Sequence, residues 1–124
     1  MNRLLFFSFF FSSLFISCSS SSDRTALLGK WTRNDGGYQL EILSADASGK
    51  VEAKYFNPNQ IHVSEATSKI EKGILKLHVT LDDTGYPGCT YDLEYSKEEK
   101  SLKGTYFQAA QNQSYEISFE KGEP

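Results

Sequence analysis

The chain has 124 residues and a formal net charge of −3. This length is sufficient for one domain around one hydrophobic core and too short for two. Because the chain is mildly acidic and has no cluster of lysine or arginine, we exclude nucleic acid as a partner.

The N-terminus has the pattern of a secretory signal peptide. Arg3 supplies positive charge, and an apolar run interrupted only by serines follows from Leu4 to Ile16. Such a run fits the ~7–15 residues of a signal's hydrophobic region and is too short to span a membrane. The alternative is a buried hydrophobic helix, but a run with five phenylalanines between Phe6 and Phe11 and no polar face would be a poor element of a soluble protein. We therefore expect residues 1–17 to be a signal peptide.

A small residue directly precedes a cysteine at the end of this run. The sequence Leu14-Phe15-Ile16-Ser17-Cys18 resembles the lipobox of bacterial lipoproteins. The resemblance implies that Cys18 becomes the first mature residue and carries acyl chains such as palmitate, which bind it to a membrane. Residues 18–27 would then form the lipid anchor and a serine-rich tether. We expect the domain to lie outside the cytoplasm in the cell envelope, anchored to a bacterial membrane, in our interpretation the outer membrane.

The mature sequence alternates apolar and polar residues at a period of two, which predicts β-strands with one buried face. The clearest strand is Leu75–Leu81, in which Lys76, His78 and Thr80 occupy the opposite face. The remaining predicted strands cover Gly29–Arg33, Tyr38–Ile42, Val51–Tyr55, Ile61–Val63, Thr67–Glu71, Tyr91–Tyr95, Leu102–Gln108 and Tyr115–Phe119.

These short strands predict an all-β domain over residues 28–121. We expect an antiparallel up-and-down meander of about eight strands that closes into a small β-barrel, because closure removes the exposed edges of an open sheet. Asp82–Gly88 is expected to be the longest loop after the tether. Arg24–Leu28 is the best candidate for a short helical turn.

A short motif opens the first predicted strand. Leu28-Gly29-Lys30-Trp31-Thr32 resembles the Gly-x-Trp opening of the calycin barrels, which include lipocalins and avidin-like proteins. The resemblance implies a lipocalin-like barrel with Trp31 plugging its closed end. Three further segments, which begin at Tyr55, Tyr86 and Gly104, are similar to small secreted bacterial proteins of unknown function. That similarity supplies no activity.

The strand alternation places large side chains with polar tips on the inward face. An unpartnered buried hydroxyl or carboxamide costs about 1–3 kcal/mol, so these groups either bond one another in a packed barrel or line a cavity for a polar ligand. Our first hypothesis is a binding barrel for a small polar or amphipathic molecule. Its wall residues would be Tyr38, Tyr55, Asn57, Tyr91, Tyr106 and Gln108, and the inward set also includes Tyr95, Gln113 and Tyr115.

The alternative hypothesis is a protein-interaction module, such as a periplasmic enzyme inhibitor. Loops on a rigid scaffold often carry binding groups, and aromatic side chains commonly dominate interfaces. Asn59, His62 and Tyr86 are the residues that we expect in such loops. Fold alone does not choose between the two hypotheses, because both functions occur on one architecture.

The sequence contains no motif for catalysis or metal binding. It lacks a Gly-x-Ser-x-Gly elbow and a phosphate-binding glycine loop, so we expect neither enzyme activity nor a cofactor. The two histidines, His62 and His78, do not stand at metal-ligand spacings with Asp82 or Asp83, so no metal site is expected. With Cys18 lipidated, Cys89 has no disulfide partner, and it is either a small buried residue or a reactive thiol.

Overall fold

The computed structural model describes residues 24–122, and a single antiparallel sheet accounts for most of them. The predicted signal peptide and Cys18 lie outside the described residues. Short 3-10 helices cover Thr25–Leu27 and Ala109–Gln111. The strands are β1 (Gly29–Arg33), β2 (Gln39–Ala45), β3 (Val51–Phe56), β4 (Gln60–Ile61), β5 (Val63–Glu71), β6 (Ile74–Asp83), β7 (Tyr86–Ser96), β8 (Ser101–Gln108) and β9 (Gln113–Lys121).

The sheet curls into a nearly closed barrel. Its strand order is β4-β3-β2-β1-β9-β8-β7-β6-β5. The first and last strands of the chain, β1 and β9, therefore pair with each other in the middle of the sheet. The two ends of the sheet approach where Lys50 pairs with Thr67 and the Ser68 amide donates to the Gly49 carbonyl at 2.8 Å. The predicted all-β, up-and-down barrel is confirmed, with nine strands because residues 60–71 divide into β4 and β5 on either side of His62.

A short length of the barrel wall stays open between β3 and β5. Continuing the register of the Lys50–Thr67 bridge would place Glu52 opposite Glu65, and both side chains are exposed. Like charges directly opposite each other destabilise a strand pair. This repulsion gives a physical reason for the interrupted pairing at this point of the wall.

One end of the barrel is closed by the first 3-10 helix and Trp31. Leu27 and Trp31 are completely buried, and the indole nitrogen of Trp31 donates to the Leu27 carbonyl at 2.8 Å. The Lys121 ammonium lies 4.8 Å from the centroid of the Trp31 ring and donates to the carbonyl oxygens of Ala26 and Leu28. We call this the closed end.

The barrel interior is filled by the inward residues of every long strand. Alternation predicted their inward direction and left open whether they fill the interior. Full burial of each such apolar side chain stabilises the fold by about 1.5–3 kcal/mol relative to exposure. The largest fully buried side chains are Trp31, Tyr55, Tyr91, Phe119, Leu27, Leu40, Leu77, Leu81, Leu93 and Leu102.

The prediction of a long loop at Asp82–Gly88 is wrong. β6 continues to Asp83 and β7 begins at Tyr86, which leaves the two-residue turn Thr84-Gly85. Pro87 pairs with Asp82, where the register shifts in the manner of a β-bulge. Because Leu81 pairs with Cys89, Gly88 is the extra residue of the bulge. Proline is tolerated beside a bulge because the ladder of hydrogen bonds is locally interrupted there, so the strands extend past residues that resemble a loop in sequence.

Because the topology is up-and-down, successive turns lie alternately at one end of the barrel and at the other. Residues 34–38, 57–59, 84–85 and 109–112 meet at the open end, which we call the mouth. The other turns, 46–50, 72–73 and 97–100, lie at the closed end with the first 3-10 helix. Arg24 donates to the carbonyl oxygens of Asp46 and Ala47 at 3.0 and 2.7 Å, so the chain enters the barrel at the closed end.

Candidate functional site

An open cleft of about 860 Å³ lies at the mouth, and we call it the mouth cleft. Strands β1, β7, β8 and β9 form its walls, together with the turns that follow β1 and β8 and the turn that precedes β7. The lining combines tyrosine rings with a few charged and amide groups. These residues include Tyr38, Tyr86, Tyr106, Tyr115, Arg33, Asp35, Gln108 and Glu116.

Arg33 is a cation with a side chain that is only 8% exposed. It follows Trp31 by two positions on β1, so strand alternation directs its side chain inward. Its Nε and Nη2 atoms each donate to the Asp35 carboxylate at 2.7 Å, and Nη1 donates to the Tyr91 hydroxyl at 2.7 Å. These partners are required, because a buried charge without hydrogen bonds is strongly destabilising.

Tyrosine rings surround the Arg33 guanidinium. Its central carbon lies 4.1 Å from the ring centroid of Tyr38, 5.3 Å from that of Tyr106 and 5.9 Å from that of Tyr91. All three distances are within the ~6 Å range of a cation–π contact. The mouth cleft is therefore built around a cation that belongs to the protein itself.

The Arg33–Asp35 pair is ionised at neutral pH. Burial alone would lower the pKa of Arg33, but the hydrogen bonds with Asp35 and Tyr91 outweigh it and raise that pKa. The hydrogen bond from Arg33 lowers the pKa of the Asp35 carboxyl in turn. The two charges largely cancel each other within the cleft.

Tyr55 and Tyr91 form the floor beneath the cleft. Both are completely buried, and their hydroxyl oxygens lie 2.7 Å apart. Burial raises the pKa of both hydroxyl groups, so they remain protonated and neutral. These two predicted wall residues belong to the packed interior, and the open space lies above them at the level of Arg33.

Gln108 connects the cleft wall to the second 3-10 helix. Its Oε1 atom accepts hydrogen bonds from the Ala110 amide at 3.2 Å and the Cys89 thiol at 3.3 Å. Its Nε2 atom donates to the Tyr106 hydroxyl at 3.3 Å. Cys89 is completely buried and forms no disulfide. Of the two roles considered for Cys89, the buried side chain agrees with this placement, since reactive thiols need access to solvent.

The remaining predicted residues lie around the mouth. The Asn57 side-chain amide donates to the Tyr86 hydroxyl and so links two turns across it. Asn59 and His62 are exposed and do not line the cleft. The His62 amide donates to Asp83 at 2.8 Å, and this bond helps to lower the pKa of the Asp83 carboxyl.

A second polar cluster lies on the outer surface of β6 and β7. The Nδ1 atom of His78 is 2.6 Å from Asp92, and its Nε2 atom is 3.0 Å from the Thr80 hydroxyl. This order of carboxylate, imidazole and hydroxyl matches a nucleophilic triad, but acyl transfer also needs N–H donors for the oxyanion. Because β6 pairs with β5 and β7 on its two sides, the N–H groups around Thr80 belong to the ladders. We interpret the cluster as a surface network.

Residues 24–122 contain neither a candidate metal site nor a candidate membrane-spanning helix. In this part of the chain, histidine, cysteine and carboxylate side chains form no group of three or more that could hold a metal ion. The same residues include no helix with the length and apolar character needed to cross a bilayer.

The fold and the site together define a nearly closed, nine-stranded antiparallel barrel with an aromatic cleft at its open end. Comparison of the chain with protein-family models, with curated proteins and with solved structures finds no match. The geometry of the mouth cleft is therefore the basis of the proposed function.

Arg33 and Asp35 are not among the site residues predicted from the sequence, although the sequence carries a signal for Arg33. Arg33 has the same strand parity as the buried Trp31, and a charged residue on a buried face is an informative exception. Asp35 carried no such signal, because in sequence it is one polar residue of a turn.

Proposed function

We propose that the protein is a lipoprotein of the bacterial cell envelope whose barrel binds a small polar or amphipathic molecule in the mouth cleft. The observation that carries this proposal is the open volume of about 860 Å³ lined by four tyrosines around the Arg33–Asp35 pair. Small-molecule sites typically combine aromatic walls with a few fixed polar groups.

The proposed ligand binds at the mouth and does not enter the middle of the barrel. Tyr55 and Tyr91 fill that middle region and satisfy each other's hydroxyl groups. The ligand would contact Tyr38, Tyr106 and Gln108, which are three of the residues expected from the sequence. Their positions are fixed by strands and by hydrogen bonds, and such preorganisation lowers the entropic cost of binding.

The proposed lipid anchor would direct the mouth away from the membrane. Arg24 is held at the closed end by the carbonyl groups of Asp46 and Ala47. Residues 18–23 could extend by at most about 20 Å, at roughly 3.3–3.6 Å per residue. Acyl chains on Cys18 would therefore keep the closed end toward the bilayer, and the ligand would reach the cleft from water.

The calycin-like character of the barrel is part of this proposal. It is supported by the position of Trp31 beneath the first 3-10 helix, where it and Leu27 close one end of the barrel. The opposite end carries the cleft, so the barrel has one closed and one open end.

Native mass spectrometry tests the binding function. We would purify the chain from Ser19 onward from its own source, because it keeps all nine strands and the whole core. We expect a stoichiometric mass excess that disappears on denaturation and in the Tyr115→Ala and Gln108→Ala variants. Leu43→Ala is the matched control, because Leu43 and Tyr115 are 44% and 43% exposed. A bare mass for the unaltered protein would overturn the proposal.

A protein-interaction module remains the second candidate function. The large exposed surface of Tyr115 at the mouth favours it, since an aromatic side chain can anchor an interface. Tyr86 offers less surface for this purpose, because it is half-buried and bonded to Asn57. In the same native spectrum, a protein-sized mass excess lost in Tyr115→Ala would select this candidate.

A further inference from the structure

The charges at the mouth are unevenly distributed. Arg33 is the one basic side chain that lines the cleft in the described part of the chain, and Asp35 pairs with it there. Glu116 borders the cleft, but it follows the inward-facing Tyr115 by one position on β9, so strand alternation directs its carboxylate to the outer surface near the rim. Asp82 and Asp83 stand at the end of β6, beside the turn that contributes to the cleft wall. Since Asp35 already neutralises Arg33, the other carboxylates leave the mouth with an excess of negative charge.

The geometry of Arg33 disfavours an anionic ligand. Its donors are directed at the Asp35 carboxylate and the Tyr91 hydroxyl, each at 2.7 Å. An anion would have to break this bidentate ion pair and approach a mouth that carries an excess of negative charge. Like charges brought together at an interface oppose binding.

The aromatic wall is suited to a cation, because it already holds one. The guanidinium of Arg33 lies over Tyr38 and Tyr106 at 4.1 and 5.3 Å. Tyr86 and Tyr115 line the same cleft and keep exposed surface. Among residues 24–122, no cationic side chain lies over either of these two rings. One face of Tyr115 is turned toward Tyr106, whose ring centroid lies 6.4 Å away, and the other, exposed face is available to a cation from outside, as is the exposed part of Tyr86.

We propose that the ligand of the mouth cleft carries an ammonium group, which packs against Tyr86 and Tyr115 at the negatively charged mouth. Aromatic rings attract such a group through their quadrupole, and the attraction strengthens as water is displaced. The nearby carboxylates add a longer-range attraction. This inference rests on the proposed ligand-binding function of the cleft and specifies the chemical class of the ligand.

Three probes of the same shape and different charge test the inference. Choline is cationic, 3,3-dimethylbutan-1-ol is its neutral counterpart, and 3,3-dimethylbutanoate is the anionic one. Each is titrated into the chain that begins at Ser19, with amide NMR shifts as the readout. We expect choline to bind at least about three-fold more tightly than the neutral probe, and the anion most weakly. The preference should shrink in about 1 M salt, where the Debye length is about 3 Å.

Two charge-removing variants locate the cation. Glu116→Gln should weaken choline binding by about two-fold to three-fold and leave the neutral probe unchanged. Glu120→Gln is the matched control, because it removes the same charge from an exposed position of β9 nearer the closed end. If the neutral probe binds as tightly as choline, or the anion binds more tightly than choline, the ammonium assignment is overturned while the cleft remains a binding site. If no probe shifts any mouth residue, the ammonium assignment fails, and the native mass then decides the binding function separately.

Discussion

The hydroxyl oxygens of Tyr55 and Tyr91 lie 2.7 Å apart in the centre of the barrel, although both side chains are completely buried. The Arg33 guanidinium donates to the same Tyr91 hydroxyl at 2.7 Å. Tyr91 therefore connects the packed interior to the charged pair at the mouth. Removal of either hydroxyl group should lower the free energy of unfolding in proportion to the number of hydrogen-bond partners that it leaves unsatisfied.

We predict that Tyr91→Phe destabilises the protein more than Tyr55→Phe. Removal of the Tyr55 hydroxyl leaves Tyr91 bonded to Arg33, so the loss should be about 1 kcal/mol. Removal of the Tyr91 hydroxyl deprives both Tyr55 and Arg33 of a buried partner, so about 2–3 kcal/mol should be lost. Urea denaturation followed by circular dichroism measures both values. Equal losses for the two variants would show that the shared hydroxyl is not the centre of this network.

We predict that the Arg33–Asp35 pair contributes stability that is lost in acid. Arg33 lowers the pKa of Asp35 in the folded protein. The pair's contribution to stability is therefore complete above pH ~3.9, the pKa of an Asp carboxyl in the unfolded chain. It is lost as the pH falls through the pKa of Asp35 in the folded protein. Because Asp35 is about half exposed, solvent screening should limit the effect to about 1 kcal/mol.

The comparison of the unaltered protein with Asp35→Asn isolates this contribution from the other carboxyl groups. Denaturation between neutral pH and about pH 2 should show the unaltered protein more stable at neutral pH and the two curves converging in acid. Parallel curves over the whole range would contradict the assigned role of Asp35.

We predict a severe packing defect in Gly104→Ala. A Cβ atom at Gly104 would lie 2.0 Å from the carbonyl oxygen of Asp92 on the neighbouring strand. Backbone atoms cannot move away cheaply, so we expect a loss of about 3 kcal/mol or more. Gly37→Ala is the control, because a Cβ there meets nothing within 4 Å. Thermal unfolding of both variants is the measurement, and a Gly104→Ala midpoint as high as that of the control would show that β7 and β8 can separate without cost.

We predict that Lys121→Met loosens the closed end. The Lys121 ammonium lies over the Trp31 ring and donates to the Ala26 and Leu28 carbonyl groups. Loss of these contacts should destabilise the protein by about 1 kcal/mol and expose the indole to water. Trp31 fluorescence should shift to longer wavelength and become easier to quench. Lys97→Met, at an exposed turn position, should leave both properties unchanged.

Much of the fold was predictable because burial on one face of a strand leaves a period of two in the sequence. Leu75–Leu81 shows this pattern without interruption, and it lies within β6 as expected. The pattern fails where a bulge shifts the register, as it does after Leu81. There Pro87 and Gly88 resemble loop residues in sequence, and only the pairing of Asp82 with Pro87 reveals that the hairpin continues.

The candidate site was less predictable, because it depends on contacts between distant strands. Alternation correctly directs Tyr55 and Tyr106 inward, but it does not tell which lies in the packed interior and which lines the cleft. That distinction depends on how far each residue lies from the mouth along the barrel axis, which the pairing register of the strands fixes. The same position along the axis explains the exposure of Tyr115, which faces inward on β9 but lies so close to the rim that 43% of its surface is exposed.

Hydrogen exchange tests the central claim, ligand binding at the mouth, most directly. The chain from Ser19 onward, purified from its source, would be compared before and after its ligand is removed by reversible unfolding. We predict that removal accelerates exchange in the mouth turns at 34–38, 84–85 and 109–112, while the closed-end turns at 46–50, 72–73 and 97–100 keep their rates. Unchanged exchange at the mouth, or a change confined to the closed end, would contradict the claim.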